Sequence, residues 1–173
     1  VTVGHLFGDE DIFATVDTVA PQLIAIDAPL GLPAGRCCLL NTCVCAGTTH
    51  FRVSDYELRR MGIRFFPITL GPMRQLTQRG MHLKAVLENR GFAVIETYPG
   101  AAQDIWGIPR QRDVAGLRRG LSRFRLQGLH SSEPSPHVLD AVTCALVGQL
   151  YLRGAASSIG SPDEALMILP PLP

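Results

Sequence analysis

Three acidic residues, Asp27, Glu96 and Asp140, stand where one divalent-metal site could form. Asp27 follows the apolar run Leu23-Ile24-Ala25-Ile26 and Glu96 follows Phe92-Ala93-Val94-Ile95, and each precedes a proline-containing loop, Ala28-Pro29 and Thr97-Tyr98-Pro99. Ligands of parallel sheets collect outside the carboxyl ends of strands, so two acids at that address can face one site. Taken singly, either could instead close an Asx turn. Asp140 lies about one turn into an apolar stretch, between Leu139 and Ala141, with no charged stripe beside it. A buried carboxylate is costly unless paired or metal-bound. His137, three residues earlier, projects from the same helix face and could orient a water or carry a proton; its plainer role is a backbone-bonded residue at a helix start. Clustered carboxylates are the hard donors that Mg2+ or Mn2+ requires, and such ions activate water and stabilise the leaving oxygen in phosphodiester cleavage.

A second constellation is softer. Cys37, Cys38, Cys43 and Cys45 crowd into nine residues, a density typical of metal binding in a reducing compartment. They could hold Zn2+ or an iron-sulfur cluster, although adjacent Cys37 and Cys38 strain to share one ion. An alternative set is Cys38, Cys43, Cys45 and His50, and unligated loop thiols are a third option. Cys144, in an apolar helix, fits core packing. Arg52, Arg59, Arg60 and Arg64, with the basic stretch Arg110 to Arg125, could grip a phosphate backbone or simply form solvated faces.

The elements that must position these groups follow from periodicity. Val1 to Leu6 alternates enough for a strand, and Gly8-Asp9-Glu10-Asp11 starts a helix over Ile12 to Ala20. Residues 23–26 and 92–95 are continuous apolar runs of the kind buried on both faces of a sheet. Between them, 31–50 has no usable period and is expected as an inserted Cys-rich loop. Ser54 with Glu57 predicts a capping-box helix, Asp55 to Met61. Residues 73–90 predict an amphipathic helix with Leu76, Gly80, Leu83 and Leu87 inward and Gly91 as its stop. The 98–136 stretch is loop-rich, with a short helix near 116–126. Pro136 starts a buried helix ending near Gly154. Strands alternating with helices indicate an α/β sheet with parallel central strands. One domain is expected over 1–156, followed by a Pro- and Ser-rich tail, 157–173.

Composition agrees with a globular domain: 173 residues, 46% hydrophobic and 18% charged. The net charge of +1 makes any nucleic-acid footprint a local one. No apolar run approaches the ~18 residues of a membrane span, no signal peptide opens the chain, and the expected location is cytoplasmic.

Four motifs carry a resemblance. Ile26-Asp27-Ala28-Pro29-Leu30-Gly31-Leu32-Pro33, then Arg52 to Asp55 with Leu58-Arg59-Arg60, Glu96-Thr97-Tyr98-Pro99-Gly100-Ala101, and His137-Val138-Leu139-Asp140-Ala141 resemble the predicted-nuclease family catalogued as domain of unknown function 429. The resemblance implies a ribonuclease H-like mixed sheet flanked by helices and a metal-dependent nuclease acting on DNA or RNA. His-x-x-Asp-Ala is similar to the last catalytic helix of Holliday-junction resolvases of that superfamily. Carried over, Asp27 matches the acid after the central strand, Glu96 that of the next strand, and Asp140 the helix acid. That fold begins with a hairpin whose first strand supplies a further Asp. Val1 to Leu6 would be the third strand of this meander, so the first two strands have no counterpart and the chain as given would be inactive. Two rivals stand beside the nuclease. One is a non-catalytic nucleic-acid or partner-binding module braced by cysteine-bound metal. The other is an actin-like phosphotransferase, for which no Gly-rich phosphate loop follows a strand.

Overall fold

A computed structural model describes residues 2–47, 49–127 and 134–172; Val1, the first residue of the expected opening strand, lies outside them. Helix α1 (Asp9–Val19) starts at Gly8, whose N–H reaches Asp11 Oδ2 at 3.3 Å. It stops at Ala20, which is in the left-handed region (φ 46°) and donates its N–H to Val16 O. Strand β1 (Ile24–Ile26) follows. A long loop, containing a single 3-10 turn at Val44–Gly47, then leads to α2 (Val53–Arg60). Helix α3 (Gly71–Asn89) ends before Gly91 (φ 88°), as its sequence predicts. Strand β2 (Val94–Thr97), helices α4 (Pro99–Ile105), α5 (Val114–Ser122) and α6 (Pro136–Leu152), and strands β3 (Ser157–Ile159) and β4 (Met167–Leu169) complete the described chain.

The sheet is mixed, in the order β1-β2-β4-β3. β1, β2 and β4 run parallel and β3 is antiparallel to β4. Phe13 of α1 and Leu83 and Leu87 of α3 pack with Ile24, Ile26 and Val94 on one face. Val147 of α6 and Ala102 of α4 pack with Ala25, Ile95 and Ile168 on the other. Strand side chains alternate between faces, so these contacts fix two directions. Glu96, two residues after Val94, lies on the α3 side. Asp27, two after Ala25, continues the α6 side, where Asp140 resides.

Several sequence expectations change. Residues 2–7 form no strand: their side chains are exposed and the segment has no partner in the sheet, without which an extended run gains no ladder bonds. The expected tail supplies two of the four strands, with Met167, Ile168 and Leu169 all buried and β4 inserted between β2 and β3. Three-residue strands are too short to display a period, which is why composition hid them. Tyr98 to Ile105, expected as loop, carries α4, with Pro99 at its first turn. Glu96 sits inside β2 rather than after it. Helix α2 begins two residues earlier than Ser54 predicts: Asp55 Oδ2 accepts the Arg52 N–H at 2.9 Å, and the buried Ser54 hydroxyl has no partner among the described residues. Leu76 is exposed and Thr77 takes its place inward on α3. On the same helix a Cβ at Gly80 would lie 2.8 Å from that of Ala28, so glycine is what lets the chain after Asp27 press against α3.

Candidate functional site

Of the acidic trio, Asp27 and Asp140 lie near enough for the charge of Asp140 to act on the Asp27 carboxyl. Asp27 follows the carboxyl end of β1 and is exposed. Among the described residues it makes no hydrogen bond or ion pair. The surrounding protein, then the charges of Asp140 and Glu96, push its carboxyl from 3.8 up to about 7. Asp140, half-buried on the first turns of α6, accepts the Gln103 side-chain amide at 2.8 Å. Burial raises its carboxyl, while Gln103, His137 and Arg110 draw it back. His137 is exposed one turn before Asp140, and Cys144 one turn after it, where burial and then the charges of Asp27 and Asp140 hold the thiol well above its usual value.

Glu96 is differently employed. It is 2% exposed, and both its oxygens are taken by Arg52: Nη1 to Oε2 at 2.7 Å and Nη2 to Oε1 at 2.6 Å. The Leu30 N–H adds a third bond, to Oε2 at 2.7 Å. Burial pushes the Glu96 carboxyl upward against the pull of Arg52; the pair stands ionised, since a guanidinium does not discharge at neutral pH. The three acids therefore do not converge on one point. Glu96 backs the site while Asp27 and Asp140 face it. Arg52, at 1% exposure, is turned away from any phosphate backbone. Arg59 and Arg60 are exposed at the end of α2, and the Arg59 guanidinium lies 4.8 Å over the Phe51 ring.

The cysteines do converge. Cys37, Cys38, Cys43 and Cys45 form no disulfide, and their sulfur atoms all lie within 4.8 Å of one another. They are the one group of three or more His, Cys, Asp or Glu side chains among the described residues whose ligand atoms gather in this way. His50 is not among them, so the four-cysteine set is the one assembled. This group can hold a metal ion. The Cys37 backbone and the Cys43 thiol bring Cys45 down to about 6, and hydrogen bonds from Cys37 to Cys43 and Cys45 hold Cys37 up at about 12.

Sequence reasoning missed Gln103 and Glu164 and gave Arg110 and Tyr98 no part in the acidic site. Gln103 is 1% exposed and bridges Asp140 to Thr143 Oγ1 (3.2 Å), which fixes the carboxylate's orientation. Arg110 stacks near Tyr98, donates to its hydroxyl at 3.0 Å and pairs with Asp104 at 2.5 Å. Tyr98, at the amino end of α4, donates to Arg64 O at 2.7 Å. Glu164 is 4% exposed and accepts the N–H groups of Ala34 and Val53, each at 2.6 Å. Tyr98 stands within the Glu96 motif, Gln103 two residues after it and Arg110 at the head of the basic stretch, whereas Glu164 carried no signal.

A family model described as "Protein of unknown function (DUF429)" matches residues 2–165. The chain belongs to that family, the one its motifs resemble. Comparison with curated proteins and with solved structures gave no match. No helix among the described residues is long and apolar enough to cross a membrane.

Proposed function

We propose that this family member hydrolyses phosphodiester bonds of DNA or RNA on a ribonuclease H-like scaffold, using Mg2+ or Mn2+ held by Asp27 and Asp140. The Asp27–Asp140 pair carries the proposal. Asp27 has no hydrogen-bond or ion-pair partner among the described residues, and burial, then the charges of Asp140 and Glu96, lift its carboxyl to about 7. Oxygen donors under such repulsion fit a hard divalent cation, which relieves it. When bound, the cation supplies Lewis-acid stabilisation of charge building on the phosphate. Gln103 then acts as a positioning residue by fixing Asp140. His137, exposed beside Asp140, is the group suited to exchange a proton with water. Arg110, Arg59 and Arg60 supply positive charge for the backbone of the nucleic acid. Glu96 acts from behind, holding Leu30 and Arg52.

The cysteines offer a second and softer site, for zinc or an iron-sulfur cluster, and free thiols suit a reducing, cytoplasmic compartment. A non-catalytic nucleic-acid or partner-binding module draws support from one observation, the engagement of Glu96 by Arg52, which leaves two free acids instead of three. The two are separated by incubating the full-length protein with labelled single- and double-stranded DNA and RNA in Mg2+ or Mn2+. Hydrolysis is expected, and Asp27→Asn and Asp140→Asn should each abolish it. Binding without hydrolysis in either metal, or undiminished cleavage by either variant, would sink the nuclease.

A further inference from the structure

We propose that Cys37, Cys38, Cys43 and Cys45 bind a single zinc ion as a tetrathiolate, forming the last rung of a laddered loop whose base is pinned by Glu96 and Glu164. This proposal goes beyond the reaction above and stands without it.

The loop between β1 and α2 is held by a series of cross-links that join its outgoing and returning strands. At the base, Glu96 takes Leu30 N–H from one side and Arg52 from the other. Next, Glu164 takes Ala34 N–H from one side and Val53 N–H from the other. Gly31 runs so close beneath this rung that a Cβ there would meet Glu164 O at 2.1 Å. Third, the Arg36 guanidinium crosses the loop from Nε to Cys38 O (3.2 Å) and from Nη1 to Ala46 O (3.1 Å) and Thr49 O (3.0 Å). Beyond Arg36 stand the four thiols. Loops of this length without regular structure are uncommon unless something else orders them, and after Pro33 the buried apolar side chains of this loop among the described residues are Leu39 and Cys45.

Two observations point to one metal ion. The first is distance. Sulfur separations are 3.4 Å for Cys37–Cys43, 3.4 Å for Cys37–Cys45, 3.3 Å for Cys43–Cys45 and 3.9 Å for Cys38–Cys45. A tetrahedral ion with Zn–S bonds of about 2.3 Å sets its thiolates about 3.8 Å apart. In a [4Fe–4S] cluster each thiolate takes a different iron, and in a [2Fe–2S] cluster the thiolates divide two and two between separate irons, so four sulfurs gathered on one point fit a single ion. The bend at Cys37 is what lets adjacent cysteines turn toward a common centre. The second is charge. Arg36 is 7% exposed, donates to carbonyls, and makes no ion pair among the described residues. A buried cation needs a counter-charge. Four thiolates around a dication keep net negative charge next to it, after the thiols have released their protons to solvent.

The test uses the full chain, purified under reducing conditions, with metal content measured and the metal-free form titrated with Zn2+ and with Co2+. One zinc per chain is expected, and Co2+ should give intense visible bands and thiolate charge-transfer absorption of a tetrahedral sulfur site. The Cys43→Ser/Cys45→Ser variant should lose both, and Arg36→Leu should weaken zinc binding by about 10- to 100-fold. Asp27→Asn should keep its zinc, which separates this site from the carboxylates. Iron with acid-labile sulfide, no uptake of Zn2+ or Co2+ by the wild-type chain, or full zinc retention by the double cysteine variant would each overturn the proposal. Should a variant fail to fold, the wild-type Co2+ spectrum still decides.

Discussion

Arg52 and Glu96, 44 residues apart, form a two-pronged ion pair with hardly any solvent contact on either side chain. Removing one partner of such a pair strands the other charge in low dielectric, which is far more costly than removing both. Arg52→Met is expected to destabilise the fold by about 3–5 kcal/mol, whereas Arg52→Met/Glu96→Gln should recover a substantial part. Denaturant unfolding of the three proteins measures this. Equal loss in the single and double variants would show that Arg52 contributes packing rather than charge.

Asp27 should make stability fall as pH rises. Its carboxyl stands at about 7 in the folded state against 3.8 ordinarily, so between those values the folded chain holds more protons than the unfolded one. Stability then declines with increasing pH across that window. Asp27→Asn should melt above the wild type at pH 8 and level with it near pH 4. Mg2+ should raise the wild-type melting temperature at pH 8 and leave the variant unmoved, since only the native aspartate pair binds the ion. A constant offset between the two proteins over the whole range would refute the charge-crowding account.

Gln103 holds Asp140 by its strongest charge-favouring contact. Gln103→Leu should therefore raise the Asp140 carboxyl further, seen in a carbon-13 carboxyl titration. A stability cost of about 1–3 kcal/mol should follow from the acceptors left unpaired. If the titration of Asp140 is unchanged, the amide does not position it.

Deleting residues 157–173 should abolish cooperative unfolding, because it removes both β3 and β4 from the sheet and frees the two loop N–H groups that Glu164 accepts. Thermal melts by circular dichroism provide the check. A truncated chain with an unshifted, sharp transition would mean that this hairpin is dispensable.

What could be read from the sequence was what local pattern encodes. Apolar runs placed β1 and β2 within a residue or two, helical periodicity and Gly91 bounded α3, and cysteine density marked the loop that gathers four thiols. The shared address of Asp27 and Glu96 at strand ends was legible too, but the pairing register, Ile26 beside Glu96, decides which face each acid takes, and a slip of one residue would reverse it. That register puts Glu96 beside α3 and Asp27 with Asp140.

Tertiary structure alone decided the rest, because its partners are distant in sequence and carry no local signature. Arg52, expected at a phosphate, is instead the buried counter-ion of Glu96. Glu164, in a segment whose composition suggested a tail, pins a loop more than a hundred residues earlier. Three-residue strands such as β4 become strands only when neighbours accept their hydrogen bonds and bury their side chains, and those neighbours exist only in the folded chain.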